Sequence, residues 1–224
     1  MAVRSRIFYA IYPGDGNVQQ ALNVIRYLCD PLKQHRAHIT VRGPYERRLS
    51  SSFVKTLSKR VHGQPLCLEG VDGFFSDRQN TVFIPCTSPV LRGVWKKDHY
   101  AFIPHLTLYD GMSKTFAEAL RRRLQAIPLR IQLIMNDIRP LVSIPKSDWN
   151  LRVEIQNSFI EKTLGLSVDL NKIANQNQRY RLDCIEMIWI FLQENAPPCY
   201  DLFASGDGAV GYPMIQSSEE VPGT

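Results

Sequence analysis

The tripeptide His-x-Thr occurs twice in this chain, as His38-Ile39-Thr40 within AHITVRGPY and as His105-Leu106-Thr107 within PHLTLYDG. In both copies polar and apolar residues alternate, the period of a strand that lays one face on a core. The alternation sends His38, Thr40 and Arg42 to one side, with Ile39 and Val41 opposite, and it groups His105, Thr107 and Tyr109 in the same way. A chain built on such strands must display two imidazoles and two hydroxyls from β-structure. Five histidines and eight threonines in 224 residues predict roughly 0.2 chance matches, so two is an event on the order of one in a hundred. A single histidine on a half-buried strand is most simply a hydrogen-bonded core or rim residue. The repetition is what points to chemistry.

The surrounding patterns supply the framework. Arg6 to Tyr12 is rich in β-branched and aromatic residues and stops at Pro13-Gly14-Asp15-Gly16, a strand followed by a turn. Asn17 is a cap candidate for a helix with Val18, Ala21, Leu22, Ile25 and Leu28 on one stripe, ended by Pro31. After the first motif, Ser50 to Ser52 offer caps for a helix bearing Val54, Leu57 and Val61. Pro65 to Phe75 and Thr81 to Cys86 read as a hairpin joined by residues 76–80, and Ser88-Pro89 opens a short helix. The second motif lies in an extended run from Phe102 to Tyr109, and Ser113 opens a helix with Phe116, Leu120 and Leu124 inward and Arg121 to Arg123 on a solvated face. Leu129 to Ile134, continuing toward Ile144, returns to β character. Arg152 to Leu166 and Leu170 to Ala174 predict helices, whereas the β-branched and aromatic content of Leu182 to Leu192 predicts a strand, with another near Tyr200 to Phe203.

Two histidines near neutral pKa and two hydroxyl donors suit a tetrahedral phosphate. One neutral imidazole removes a proton from water or a ribose hydroxyl, the other, protonated, supplies one to the leaving oxygen, and the threonines donate to nonbridging oxygens. Arg42 is a candidate to neutralise phosphate charge, and Tyr45, Phe102 and Tyr109 are candidates to stack on a base. The patterns that carry other chemistries are missing from the sequence: no HExxH, no Cys/His spacing, no phosphate loop with its lysine and no dinucleotide-binding glycine pattern. His35, His62 and His99 read as surface residues, and Asp110 falls on the face opposite Thr107.

The paired HITV and HLTL segments, the RIFYAIYP opening strand, the helix that follows it and Pro104 before the second motif resemble the two-histidine (2H) phosphoesterase superfamily over roughly residues 1–145. The motifs stand 67 positions apart (105 minus 38). The resemblance implies an α+β fold of two pseudosymmetric lobes, with two antiparallel sheets lining a central cleft and helices outside. It implies His38, Thr40, His105 and Thr107 as the catalytic set, and the strand faces and residue chemistry add Arg42, Tyr45 and Tyr109 as candidate substrate-binding residues. The expected reaction is hydrolysis of a 2′,3′-cyclic phosphate or 2′-5′ linkage in a nucleotide or RNA, without metal or cofactor. Nucleotide or RNA-end binding without turnover, and 2′-5′ end joining, are alternatives that use the same residues. Residues 146–205 form an extension packed on the core, and residues 206–224, rich in Gly, Pro, Ser and Glu, a tail.

Composition adds bounds. A formal charge of +6 favours anionic partners. Five scattered cysteines without paired spacing suggest reduced thiols rather than a disulfide framework. No run reaches transmembrane length, and Ile7 to Ile11 is too short for a signal segment, so the expectation is a soluble, cytoplasmic monomer.

Overall fold

The computed structural model describes residues 6–14, 16–31, 35–96, 101–142, 145–165 and 167–199. Strand β1 (Ile7–Pro13) leads into helix α1 (Gly16–Cys29), and β2 (Ile39–Tyr45) into α2 (Ser51–Val61). Then come β3 (Pro65–Glu69), β4 (Asp72–Phe75), β5 (Asn80–Thr87) and the single turn α3 (Leu91–Val94). A second strand and helix pair follows, β6 (His105–Gly111) and α4 (Lys114–Gln125), and then the long β7 (Arg130–Pro140). Three helices complete the order: α5 (Trp149–Leu164), α6 (Leu170–Ala174) and α7 (Gln178–Asn195).

The fold is α+β. Its strands form one seven-stranded antiparallel sheet in the order β3-β7-β1-β2-β6-β5-β4, rather than two separate sheets. The halves join at two places. β2 and β6 meet in the middle at Ile39 and Leu106, and β3 pairs with β7 along its length while also pairing with the end of β5. The expected hairpin over 65–86 is consequently split: a turn at Gly70, which has φ +68°, sends β3 to β7, and only β4 pairs with the body of β5. Positive φ is a conformation that glycine adopts without a Cβ penalty.

The helices start where local chemistry predicts. Ser50 caps α2 by accepting from the Phe53 N–H at 3.3 Å, and Ser113 caps α4 by accepting from the Phe116 N–H at 3.2 Å. α1 begins at Gly16, so Asn17 lies inside the helix rather than at its cap. α1 is buried nearly all round, because α5, α6 and α7 pack on the side away from the sheet. Arg181 of α7 donates through Nε to the Leu28 carbonyl at 2.9 Å and through Nη2 to that of Cys29, satisfying the open carbonyls at the end of α1.

The segment Leu182 to Leu192 is helix, not strand. Its residues Leu182, Ile185, Ile188, Trp189 and Leu192 are buried at helical spacing, and Asn177 caps the helix by accepting from the Tyr180 N–H at 3.0 Å. Tertiary packing overrides the β-branched content here: Trp189 is wholly enclosed and its indole N–H donates to the Ile127 carbonyl at 3.0 Å. The arginine run of α4 is also only partly a solvated face, since Arg123 pairs with Asp183 and with Glu186 (3.2 Å), tying α4 to α7.

Cys67 and Cys199 form a disulfide, 132 residues apart, that fastens the segment after α7 to β3. This corrects the expectation that all thiols are reduced, because a pairing across so long a separation leaves no spacing signal. Cys29, Cys86 and Cys184 are free and buried. Apolar residues of α5, α6 and α7 share one core with the sheet. Among the described residues no helix is long and apolar enough to cross a membrane. The expected strand near Tyr200 to Phe203, the tail over 206–224 and His99 lie outside the described residues.

Candidate active site

β2 and β6 run antiparallel with Ile39 opposite Leu106. One residue to either side, this register sets His38 opposite Thr107 and Thr40 opposite His105, all on the face away from the fully buried Ile39 and Leu106. The two motifs are thus related by a local two-fold. The histidines occupy a cross-strand diagonal, where Cα atoms stand about 7–8 Å apart, a spacing at which two imidazoles can bracket one phosphate.

Each ring is oriented by the backbone just upstream of it. His38 Nδ1 lies 2.6 Å from the Arg36 carbonyl and His105 Nδ1 lies 2.7 Å from the Ile103 carbonyl. A carbonyl only accepts, so Nδ1 carries the proton and donates in both cases, and in the neutral ring Nε2 is the basic nitrogen. The same device appears at both halves of the two-fold.

The environments differ. His38 is 8% exposed, whereas His105, Thr40 and Thr107 are half-buried. Burial pushes the His38 pKa down to about 3, with help from the Arg26 guanidinium and from His35 and His105, and against the hydrogen bond to Arg36. His38 is therefore a neutral imidazole throughout the physiological range.

The predicted rim residues are not at this face. β1 pairs Ala10 with Thr40 but Tyr9 with Arg42, leaving Val41 as an extra residue, a β-bulge. The bulge turns Arg42 to the side of Tyr9, where its guanidinium lies 5.3 Å over the Phe53 ring of α2. β5 pairs Phe83 with Thr107 but Val82 with Tyr109, leaving Leu108 extra. Tyr109 is accordingly turned onto the core beside Phe116, its hydroxyl accepting from the Ser113 N–H at 3.0 Å. The same shift pairs Asp110 with Thr81, so Asp110 rejoins the face of Thr107 and accepts from Thr81 Oγ1 at 3.1 Å. Tyr45 packs edge-on against Tyr9, and Phe102 packs against Trp95 under Arg92. Arg42, Tyr45, Tyr109 and Phe102 are packing residues.

Other residues take the neighbouring positions. Phe83 lies 4.8 Å from the His105 ring, and Phe74, 43% exposed, lies 4.6 Å from Phe83 and 6.0 Å from His105, forming an aromatic wall. On the opposite side the Tyr12 and His35 rings each stand 6.1 Å from His38, so His35 is part of this cluster rather than a surface residue. His62 is a surface residue and pairs with Asp137 at 3.1 Å. Behind the motifs, α1 presents Gln19, Asn23 and Arg26 along one face. Gln19 donates to the Ala37 carbonyl at 3.1 Å, Asn23 Oδ1 accepts from the Ala37 N–H at 2.7 Å, and Arg26 donates to the Thr107 carbonyl. These bonds hold the approach to His38 and tie it to β6. Their sequence signal is the i, i+4, i+7 spacing of three polar residues in a helix otherwise apolar enough to be enclosed.

A cavity of about 640 Å³ opens beside Tyr12, between the first half of α1, the end of β7 and α5. Neither histidine lines it; Arg36, whose carbonyl anchors His38, does. No protein-family model matches the chain, and no curated protein matches it.

Proposed function

We propose that this protein is a phosphodiesterase of the two-histidine type, with two pseudosymmetric lobes joined at the β2–β6 seam, which opens a 2′,3′-cyclic phosphate or 2′-5′ linkage of a nucleotide or RNA. The observation that carries the reading is the antiparallel pairing of the two His-x-Thr segments at Ile39 and Leu106, with both Nδ1–H groups anchored to carbonyls. His38, neutral at physiological pH, is assigned the base: its Nε2 takes a proton from water as the water oxygen bonds to phosphorus. His105, in its protonated form, donates to the ribose oxygen as the phosphorus–oxygen bond breaks. Thr40 and Thr107 donate to nonbridging oxygens, where negative charge grows. The exposed face of Phe74 suits a base stacked beside the reacting phosphate.

The test is hydrolysis of 2′,3′-cyclic mononucleotides and 2′-5′ dinucleotides with EDTA present. Turnover is expected to persist with EDTA and to fall about 10²–10⁴-fold in His38→Ala and in His105→Ala, with the double variant little worse than either because the two act as a unit. Its acid limb is expected below the ordinary imidazole pKa if His38 is the base. Turnover unchanged in both single variants would overturn the assignment. Binding without turnover in the wild type would make this face a nucleotide-binding surface.

A further inference from the structure

The cavity beside Tyr12 holds groups that the histidine chemistry does not use. Gln156 of α5 lines it and is only 1% exposed, yet neither its Oε1 nor its Nε2 has a hydrogen-bond partner. Gln19 Oε1, from α1 across the cavity, is buried and unpartnered as well. Buried amides are normally satisfied, and an orphaned one is destabilising until something completes it. Arg36, Arg139 and Arg152 line the same space, and Asp148 is the one acid among the described lining residues. Burial, then the nearby Arg26 and Arg36, lower the Arg152 pKa to about 10.

We propose that this cavity binds a second nucleotide of the substrate, its phosphate held by Arg36, Arg139 and Arg152 and its base edge read by the amides of Gln156 and Gln19. The proposal rests on the phosphodiesterase reading for the identity of its ligand. Guanidinium forks match phosphate oxygens, and an amide, donor and acceptor together, matches the edge of a base. The site is continuous with the histidine face. Tyr12 borders both, and Arg139 of β7 is paired with Ala10 of β1, which is paired with Thr40 of β2, so one row leads from the cavity to the threonine of the first motif. Its volume is within the range of roughly 300–1,000 Å³ typical of pockets for ligands of this size. Arg152 and Gln156 come from α5, so the helices after residue 146 supply one wall of a specificity site and do more than cover α1.

The experiment compares a 2′,3′-cyclic mononucleotide with a 3′-5′ dinucleotide that ends in a 2′,3′-cyclic phosphate, in wild type, Arg139→Gln and Gln156→Met. The wild type is expected to show a KM for the dinucleotide about tenfold below that for the mononucleotide. Each substitution is expected to raise the dinucleotide KM about tenfold with kcat held within about twofold, and to leave the mononucleotide KM in place. Gln156→Met removes two orphaned polar atoms, so its Tm is expected to rise by about 2–4 °C while dinucleotide binding weakens. Arg139 is exposed on β7, so Arg139→Gln keeps the test usable if the buried substitution disturbs packing. Calorimetric titration with the uncleavable dinucleotide 3′-phosphate reads the cavity without turnover. Absence of hydrolysis together with binding that both variants weaken would sink the histidine chemistry and support the cavity. Equal wild-type KM values for the two substrates, or dinucleotide binding unchanged in both variants, would overturn the second-nucleotide site.

Discussion

His38 is enclosed, anchored through Nδ1 and close to a buried guanidinium, so its neutral form is part of the folded state. Its pKa is about 3 in the fold against 6.5 when exposed. Above pH 6.5 neither state binds the proton and folding carries no penalty; between 6.5 and 3 the unfolded chain is protonated and the folded one is not, so stability falls as pH drops. The loss is on the order of a few kcal/mol by pH 4. In His38→Asn, whose amide N–H can still donate to the Arg36 carbonyl, urea midpoints measured between pH 7 and pH 4 are expected to decline less steeply than in wild type. Parallel slopes would show that His38 titrates as an exposed imidazole. The four motif residues were legible in the sequence because strand alternation places them on one face without further information. Arg26, Asn23 and Gln19 were not, because a polar residue on a helix announces exposure unless the packing on both sides is known.

At the scale of elements, the two motif strands share a second feature: each carries a bulge directly after its threonine, at Val41 and at Leu108. A bulge inserts a residue and shifts the side-chain period by one. Strict alternation therefore placed Arg42 and Tyr109 beside the histidines, and the same insertions turn both away and bring Asp110 back. Arg42→Ala is accordingly expected to change kcat/KM by less than about twofold, while Tyr109→Phe removes the acceptor for the Ser113 N–H and costs about 1 kcal/mol of stability with activity retained. Kinetic assays and urea unfolding of the two variants check this; a tenfold loss of kcat/KM in Arg42→Ala would return that residue to the site. The helix α7 belongs to the same lesson. Its β-branched residues suit a strand locally, and burial against α1 with a cap at Asn177 decides for helix.

For the molecule as a whole, α5, α6 and α7 close the core over α1, and the Cys67–Cys199 disulfide secures the chain that follows. Residues 1–145 are thus a unit of motif and not of packing: without the later helices, the outward side of α1, including Tyr27 and Leu28, would face water, and the carbonyls that Arg181 satisfies would lose that partner. A chain ending at residue 145 is expected to lose cooperative unfolding and to bind a hydrophobic dye such as ANS, as near-UV circular dichroism and dye fluorescence would show. A sharp thermal transition in the shortened chain would establish that the motif half folds alone.

The α+β class, the two strand and helix pairs and the four residues of the paired motifs are readable from the chain alone, because periodicity and capping act over a few neighbours. Which residues surround those motifs depends on contacts between distant parts of the chain. The bulges at Val41 and Leu108 depend on what the partner strand offers, the enclosure of α1 depends on helices more than a hundred residues away, and the cavity between α1, β7 and α5 exists only once all three have packed. Its glutamines are the clearest case: Gln19 and Gln156 are ordinary helix residues in the chain, and it is the packing that leaves Gln19 Oε1 and both amide atoms of Gln156 buried without a partner.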